Sequence, residues 1–352
     1  MRNGHGHQPG KGGSAMKRTA LMITALLLAV LLAAPAAQTQ SITKIRQAGF
    51  KVIDLAVPLL AKSKGIFQKN GLDFEYVEID SGKLGVASLL SGNVQFVDLG
   101  VDDVVALQKE GKDLVLIYSM VNSLTMDLVV RNDVVQRLNV TPASSLDSKL
   151  KALRGLTFGI TRPGAVTQLF PQYLLRKAGY NPEKDATFVQ VGGGQALVAA
   201  MKSKRIEAFM LSAPAPYILE KDGDGTVLIK NSAGQGPKEF ADFAFESIAS
   251  MKSWANANTA TVEAYTRSLN EAYNWMLTDR PTALRLLKVY FPETDDATLA
   301  LSFNALVPAI KKGGRLSQQA VKNQVDVLTS IGALNGQADT REGVLWTNQF
   351  VK

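Results

Sequence analysis

Apolar and polar residues alternate along residues 42–47 (ITKIRQ), the period of a strand with one buried face. Residues 55–67 (LAVPLLAKSKGIF) instead repeat their apolar positions at three and four and pause near Gly65, which predicts a helix. Residues 74–79 (FEYVEI) read as a second strand, 81–90 as a second helix and 94–99 as a third strand. A β-α-β-α-β run of this kind implies parallel pairing. The order recurs with a strand at 156–160, a helix at 166–178 and a strand at 188–191. A constant shift of 112 lays residues 76–82 on 188–194 and Val86-Ala87 on Val198-Ala199, while Gly71 and Gly179 hold like places upstream. One repeated supersecondary unit, and so two similar α/β lobes, is the simplest account. Ligands of open parallel sheets sit beyond the carboxyl ends of the strands, where helix N-termini leave N–H groups free, so two facing lobes make a cleft.

The chain has 352 residues, 46% of them hydrophobic and 20% charged, enough for one large domain or two ordinary ones, and far from disordered or collagen-like composition. It contains no cysteine, and its two histidines are His5 and His7. That removes disulfides, a cysteine nucleophile, thiolate and imidazole metal sites and a Ser-His-Asp relay. The expectation is binding rather than catalysis, with no cofactor and no metal. The net charge of +8 suggests nucleic acid or membrane until it is divided: Arg2, Lys11, Lys17 and Arg18 lie in residues 1–37, which carry no acid. The remaining +4 is spread without a basic run, so no nucleic-acid partner is expected.

From Met16 the chain has the form of an export signal. Lys17-Arg18 is the positive start, residues 19–34 are apolar apart from Thr24, and Ala34-Pro35-Ala36-Ala37 offers small residues for cleavage. The apolar run is near the minimum spanning length, which leaves an uncleaved anchor as the alternative, but Pro35 and the A-x-A pattern favour cleavage. No cysteine follows to take a lipid. Residues 1–15 read as an upstream extension. A periplasmic protein that is not a lipoprotein is expected.

Several stretches carry a resemblance: Pro58-Leu59-Leu60-Ala61-Lys62-Ser63-Lys64-Gly65-Ile66-Phe67, Asn70-Gly71-Leu72-Asp73, Leu89-Leu90-Ser91-Gly92-Asn93-Val94-Gln95 and Leu153-Arg154-Gly155-Leu156-Thr157-Phe158-Gly159-Ile160. With the segment from Ala199 to Ala208, their order and spacing resemble the periplasmic solute-binding proteins of ABC importers for taurine, alkanesulfonates and nitrate, the NMT1/THI5-like family. Gln95 and Lys204 depart from the family pattern, where an acid and a glycine are usual. The resemblance implies a two-lobed periplasmic-binding-protein type II fold, α/β in class, each lobe a mostly parallel sheet flanked by helices. It implies two crossover strands, placed at 124–130 and 243–249. Lobe one is then 38–125 and lobe two 126–242, with 243–352 returning to lobe one as a helical tail. Val262, Tyr265, Leu269, Tyr273 and Met276 recur at helical spacing there, as do Val321, Val325 and Leu328, and their aromatic residues are expected in the core.

Candidate ligand-binding residues come from the loops after the lobe strands. Phe50 can cover a ligand, and Lys51 either attracts an anion or stands as a plain loop lysine. Ser81 and Gly82 open a helix, where the serine serves equally well as a ligand contact or an N-cap. Gly100 allows close backbone approach. Across the cleft, Arg162 can give paired hydrogen bonds to a carboxylate or sulfonate, with Gly164 and Thr167 in the same loop. Gly193 precedes a helix, Ser212 and Pro214 follow the last strand, and Asn122 lies on the cleft floor. Asp222-Gly223-Asp224-Gly225 lacks the remaining ligands of a calcium loop and reads as a turn. These residues predict a receptor that captures a small organic anion and delivers it to an inner-membrane ABC permease, working as a monomer. The alternative is an exported sensor module feeding a membrane signalling protein. Pyrimidine-synthesising relatives and porphobilinogen-polymerising enzymes of similar fold depend on cysteines that this chain lacks.

Overall fold

The computed structural model describes residues 1–6, 42–79, 82–310 and 313–352. Most of the expected leader, and Ser81, lie outside the described residues. Residues 42–352 form one compact unit. Its strands, in chain order, are β1 (Thr43–Gly49), β2 (Leu72–Glu78), β3 (Phe96–Leu99), β4 (Leu114–Val121), β5 (Asp127–Arg131), β6 (Thr157–Ile160), β7 (Thr187–Gln190), β8 (Ala208–Leu211), β9 (Gly225–Ile229) and β10 (Glu246–Met251).

They make two five-stranded sheets of one design, β2-β1-β3-β10-β4 and β7-β6-β8-β5-β9. In the first, β1 runs parallel to β2 and β3, and β10 runs antiparallel between β3 and β4. In the second, β6 runs parallel to β7 and β8, and β5 runs antiparallel between β8 and β9. The antiparallel member of each sheet is the strand that has just arrived from the other lobe. The shift of 112 carries the helix Gly82–Leu90 onto Gly194–Lys202, and β3 onto β8, without mismatch at either end. It also carries Gly92, at φ 75°, onto Lys204, at φ 60°, so the same left-handed turn ends the helix in both lobes.

The crossings expected at 124–130 and 243–249 run into β5 and β10, whose ladder bonds begin at Asp127 and Glu246. Before those points the crossings bond to each other. The Phe243 N–H donates to the Asn122 carbonyl at 2.8 Å, and the Leu124 N–H to that of Phe240 at 2.9 Å.

On the outer face of the first sheet the tail helix Thr259–Thr278 buries Val262, Tyr265, Leu269, Tyr273 and Met276. The Tyr265 ring stacks on Phe96 with centroids 3.9 Å apart, Phe67 stacks on Phe74 at 4.0 Å, and the Tyr265 hydroxyl donates to Gln47 Oε1 at 2.7 Å. Such aromatic pairs contribute about 0.5–1.5 kcal/mol beyond their burial. These tail aromatics are core, as their spacing predicts. The helix Gln318–Ser330 buries Val321, Val325 and Leu328 in a cluster with Val101, Val104 and Val105 of the helix Val101–Lys109. That cluster runs on through Leu124 and Met126 into the second sheet, so one apolar core passes beneath both lobes.

Candidate functional site

The loops at the carboxyl ends of the two sheets meet. The Ile53 N–H, just after β1, donates to the Ala213 carbonyl, just after β8, at 3.3 Å. Thr125, on the first crossing, donates to Asp54 Oδ2 at 2.7 Å and lies 3.2 Å from the Ser212 hydroxyl. Lys221 of the second lobe pairs with Asp295, which caps a tail helix, at 2.7 Å.

In the first lobe, the Tyr76 hydroxyl donates to the Phe50 carbonyl at 2.8 Å and fixes the loop after β1. The Phe50 ring is half-buried between two apolar clusters. Lys51 is exposed and pairs with Glu293 at 3.3 Å, so its charge is already offset. Gly82 begins the helix after β2, and a Cβ there would stand 3.8 Å from Asp103 Oδ2, which brings the loops after β2 and β3 together. Gly100 follows β3 and caps the helix Val101–Lys109. A Cβ on it would strike Asp102 Oδ1 and stand 3.1 Å from Gln324 Nε2, so only glycine lets those two groups converge.

In the second lobe the loop after β6 is held by its own side chains. The Thr167 hydroxyl accepts from the Thr161 N–H at 3.0 Å, and Gln168 Oε1 accepts from the Gly164 N–H at 2.7 Å. The buried Thr167 and the Gly164 amide are thus spent on loop geometry, and Gly164, at φ 73°, makes the turn. Arg162 contacts the Pro163 carbonyl at 3.5 Å, and its charge acts on Asp102 and Asp103 of the first lobe. Gly193 caps the helix Gly194–Lys202 and is exposed, with open space where a Cβ would stand. Ser212 is buried against Thr125 and Asp54, with Pro214 beside it in the same loop. Asn122 is not with these groups. It packs on Ser119 and lines a separate pocket of about 250 Å³ with Ser123, Asp242 and Pro308.

What the sequence reading missed is acid. Asp54, Asp98, Asp102, Asp103 and Glu246 gather where β3 ends and β10 begins. Asp98 is fully buried, and Glu246 lies beside it on the neighbouring strand, near enough for the two carboxyls to share a proton. Burial pushes Asp98 up to about 7, and burial together with the neighbouring Asp103 does the same to Asp102. Burial raises Asp54 to about 6, against the hydrogen bonds of Ser212 and Thr125. Glu246 is driven well above the carboxylate range by burial and by Asp98. Arg162 opposes the rise at Asp102 and Asp103. Buried Asp127 shows the contrast: Tyr217, the Ser232 hydroxyl and the Ser232 N–H all donate to it, at 2.8–2.9 Å. The one sequence signal was Asp98-Leu99-Gly100-Val101-Asp102-Asp103, a strand end running into a helix start with three acids. Glu246 and Asp54 come from elsewhere in the chain.

The NMT1-like family model matches residues 41–288. The chain belongs to the NMT1-like family. Relatives of this NMT1-like chain include the putative binding protein YtlA of Bacillus subtilis, 24% identical over 68% of both chains. The nitrate/nitrite binding protein NrtA of a Nostoc species is 25% identical over 66% of this chain and 54% of its own. Among solved structures, the aliphatic sulphonate binding protein SsuA of Escherichia coli superposes with a TM-score of 0.66 at 17% identity, over 88% of this chain and 99% of its own. The alkanesulfonate-binding SsuA of Xanthomonas axonopodis, bound to MOPS, gives 0.65 at 18% identity, over 84% of this chain and 95% of its own. The fold is that of the periplasmic binding proteins, as the sequence resemblance implies. These relatives are binding proteins rather than enzymes. Among the described residues no helix is long and apolar enough to cross a membrane.

Proposed function

We propose that this NMT1-like chain is an exported solute-binding receptor of an ABC-type importer. It holds one small solute between its lobes, hands it to an inner-membrane permease and makes no covalent change to it. The observation that carries this reading is the meeting of two like sheets by their carboxyl-end loops, across which the charge of Arg162 in one lobe acts on Asp102 and Asp103 of the other. Backbone amides at the start of the helix Gly194–Lys202, aided by the helix dipole, and the Arg162 guanidinium suit an anionic group of the solute. Closure excludes water, which strengthens those bonds, and affinity follows from how much better the closed lobes hold the solute than the open ones. The pattern of residues 16–37 supports export to the periplasm, and a receptor of this design works as a monomer.

Isothermal titration of the purified protein against nitrate, alkanesulfonates, aliphatic and aromatic carboxylates, pyrimidines and amines tests the reading. Stoichiometric binding of one class, with the solute recovered unchanged, is expected; no binding across the set, or turnover of any member, overturns it. Arg162→Ala should weaken the bound solute by about 1.5–3 kcal/mol if the guanidinium holds a charged group. Unchanged affinity removes Arg162 from the site.

A further inference from the structure

Acids in the first turn of a helix are common because they complement its dipole, and that accounts for Asp102 and Asp103 being where they are. It does not account for what lies around them. Asp98 is wholly buried, yet neither of its carboxyl oxygens accepts a hydrogen bond from a described donor. Asp102 Oδ1 and Asp54 Oδ1 are in the same condition. So is the side-chain carbonyl of Gln324, on a helix of its own and 1% exposed, whose amide end stands beside Asp102 at Gly100. A proton shared with Glu246 can serve Asp98, but it leaves the other three acceptors without a donor. Buried polar groups are nearly always paired, and every one of these lacks the same kind of partner. The charge of Arg162, in the second lobe, acts on Asp102 and Asp103. No three of the described acids converge closely enough to hold a metal ion. A cation that spreads several N–H donors over a wider span fits better.

We infer that the first lobe, through Asp102 and Asp103 with Asp98, Glu246 and Gln324 behind them, receives a protonated nitrogen of the solute. The inference rests on the receptor reading and narrows its solute class. An amine or amidine here supplies the donors that the wall lacks and meets the negative potential that Arg162 offsets only in part. A bare anion gains nothing from this side of the cleft.

Matched compounds differing at one group give the test: 4-aminobutanoate against 4-hydroxybutanoate and butanoate, and 1,4-diaminobutane against 1,4-butanediol, each titrated into the full protein. The nitrogen compounds should bind at least tenfold tighter than their partners. Asp102→Asn, and independently Asp103→Asn, should remove most of that preference while leaving the circular dichroism spectrum and melting unimpaired. If nitrate, alkanesulfonates or simple carboxylates bind as well as their aminated counterparts, the inference falls and the receptor reading stands. If none of these matched compounds binds while a member of the wider set without a protonated nitrogen does, the inference falls and the receptor reading stands; if nothing in either set binds, both fall.

Discussion

A carboxyl whose folded value lies above its ordinary one holds a proton that the unfolded chain releases. Asp54, raised from 3.8 to about 6, and Asp98 and Asp102, raised to about 7, are such groups. Between pH 4 and 7 the folded protein therefore binds more protons than the unfolded one, and stability falls as pH rises through that window. Asp295 and Asp339, held low by Lys221 and Arg341, titrate below it, and His5 and His7 lie outside residues 42–352. The thermal midpoint of the solute-free protein should be lower at pH 8 than at pH 5.5, and Asp98→Asn should flatten the difference. A midpoint that climbs over this interval contradicts the account. At this scale the sequence was least informative. Lys51 and Arg162 are equally visible as cations, but only the fold reveals that Lys51 pairs with Glu293 while the charge of Arg162 acts on Asp102 and Asp103. Asp98 and Glu246 are 148 positions apart and meet because β3 and β10 are neighbours.

The repeated strand-helix-strand element was legible because its period and spacing survive in both halves, down to helices that coincide at a shift of 112. The crossings expected at 124–130 and 243–249 run into β5 and β10, which join the ladders at Asp127 and Glu246. The element also carries two local constraints. Gly85 packs its helix against β3 so closely that a Cβ would lie 2.7 Å from Val97 Cγ2 and 2.8 Å from Ile79 Cδ1. Gly85→Ala should destabilise by about 1–3 kcal/mol in denaturant unfolding, through overpacking. The turn at the helix end takes glycine in one copy, Gly92, and lysine in the other, Lys204, at the same left-handed backbone angle. Lys204→Gly should stabilise by roughly 0.5–1 kcal/mol, the strain relieved exceeding the flexibility added to the unfolded chain. A neutral or negative change would mean that Lys204 has compensating contacts.

For the molecule as a whole, the two-lobe arrangement followed from the duplication. What was hidden was how firmly the halves are tied. Ile53 with Ala213 and Lys221 with Asp295 join one lobe to the other. On the receptor reading, release of a solute would part these contacts, and they would set part of its dissociation barrier. The mutual bonding of the two crossings, Phe243 to Asn122 and Leu124 to Phe240, bears on how they part. A pair of strands pinned to each other resists sliding, so on the receptor reading the lobes would swing about a short pivot at residues 122–124 and 240–243. Points near that pivot, such as Thr125, travel little, whereas Arg162 and Asp102 sit on the lever arms, and the gap between them becomes the natural gauge of whether the jaw is shut.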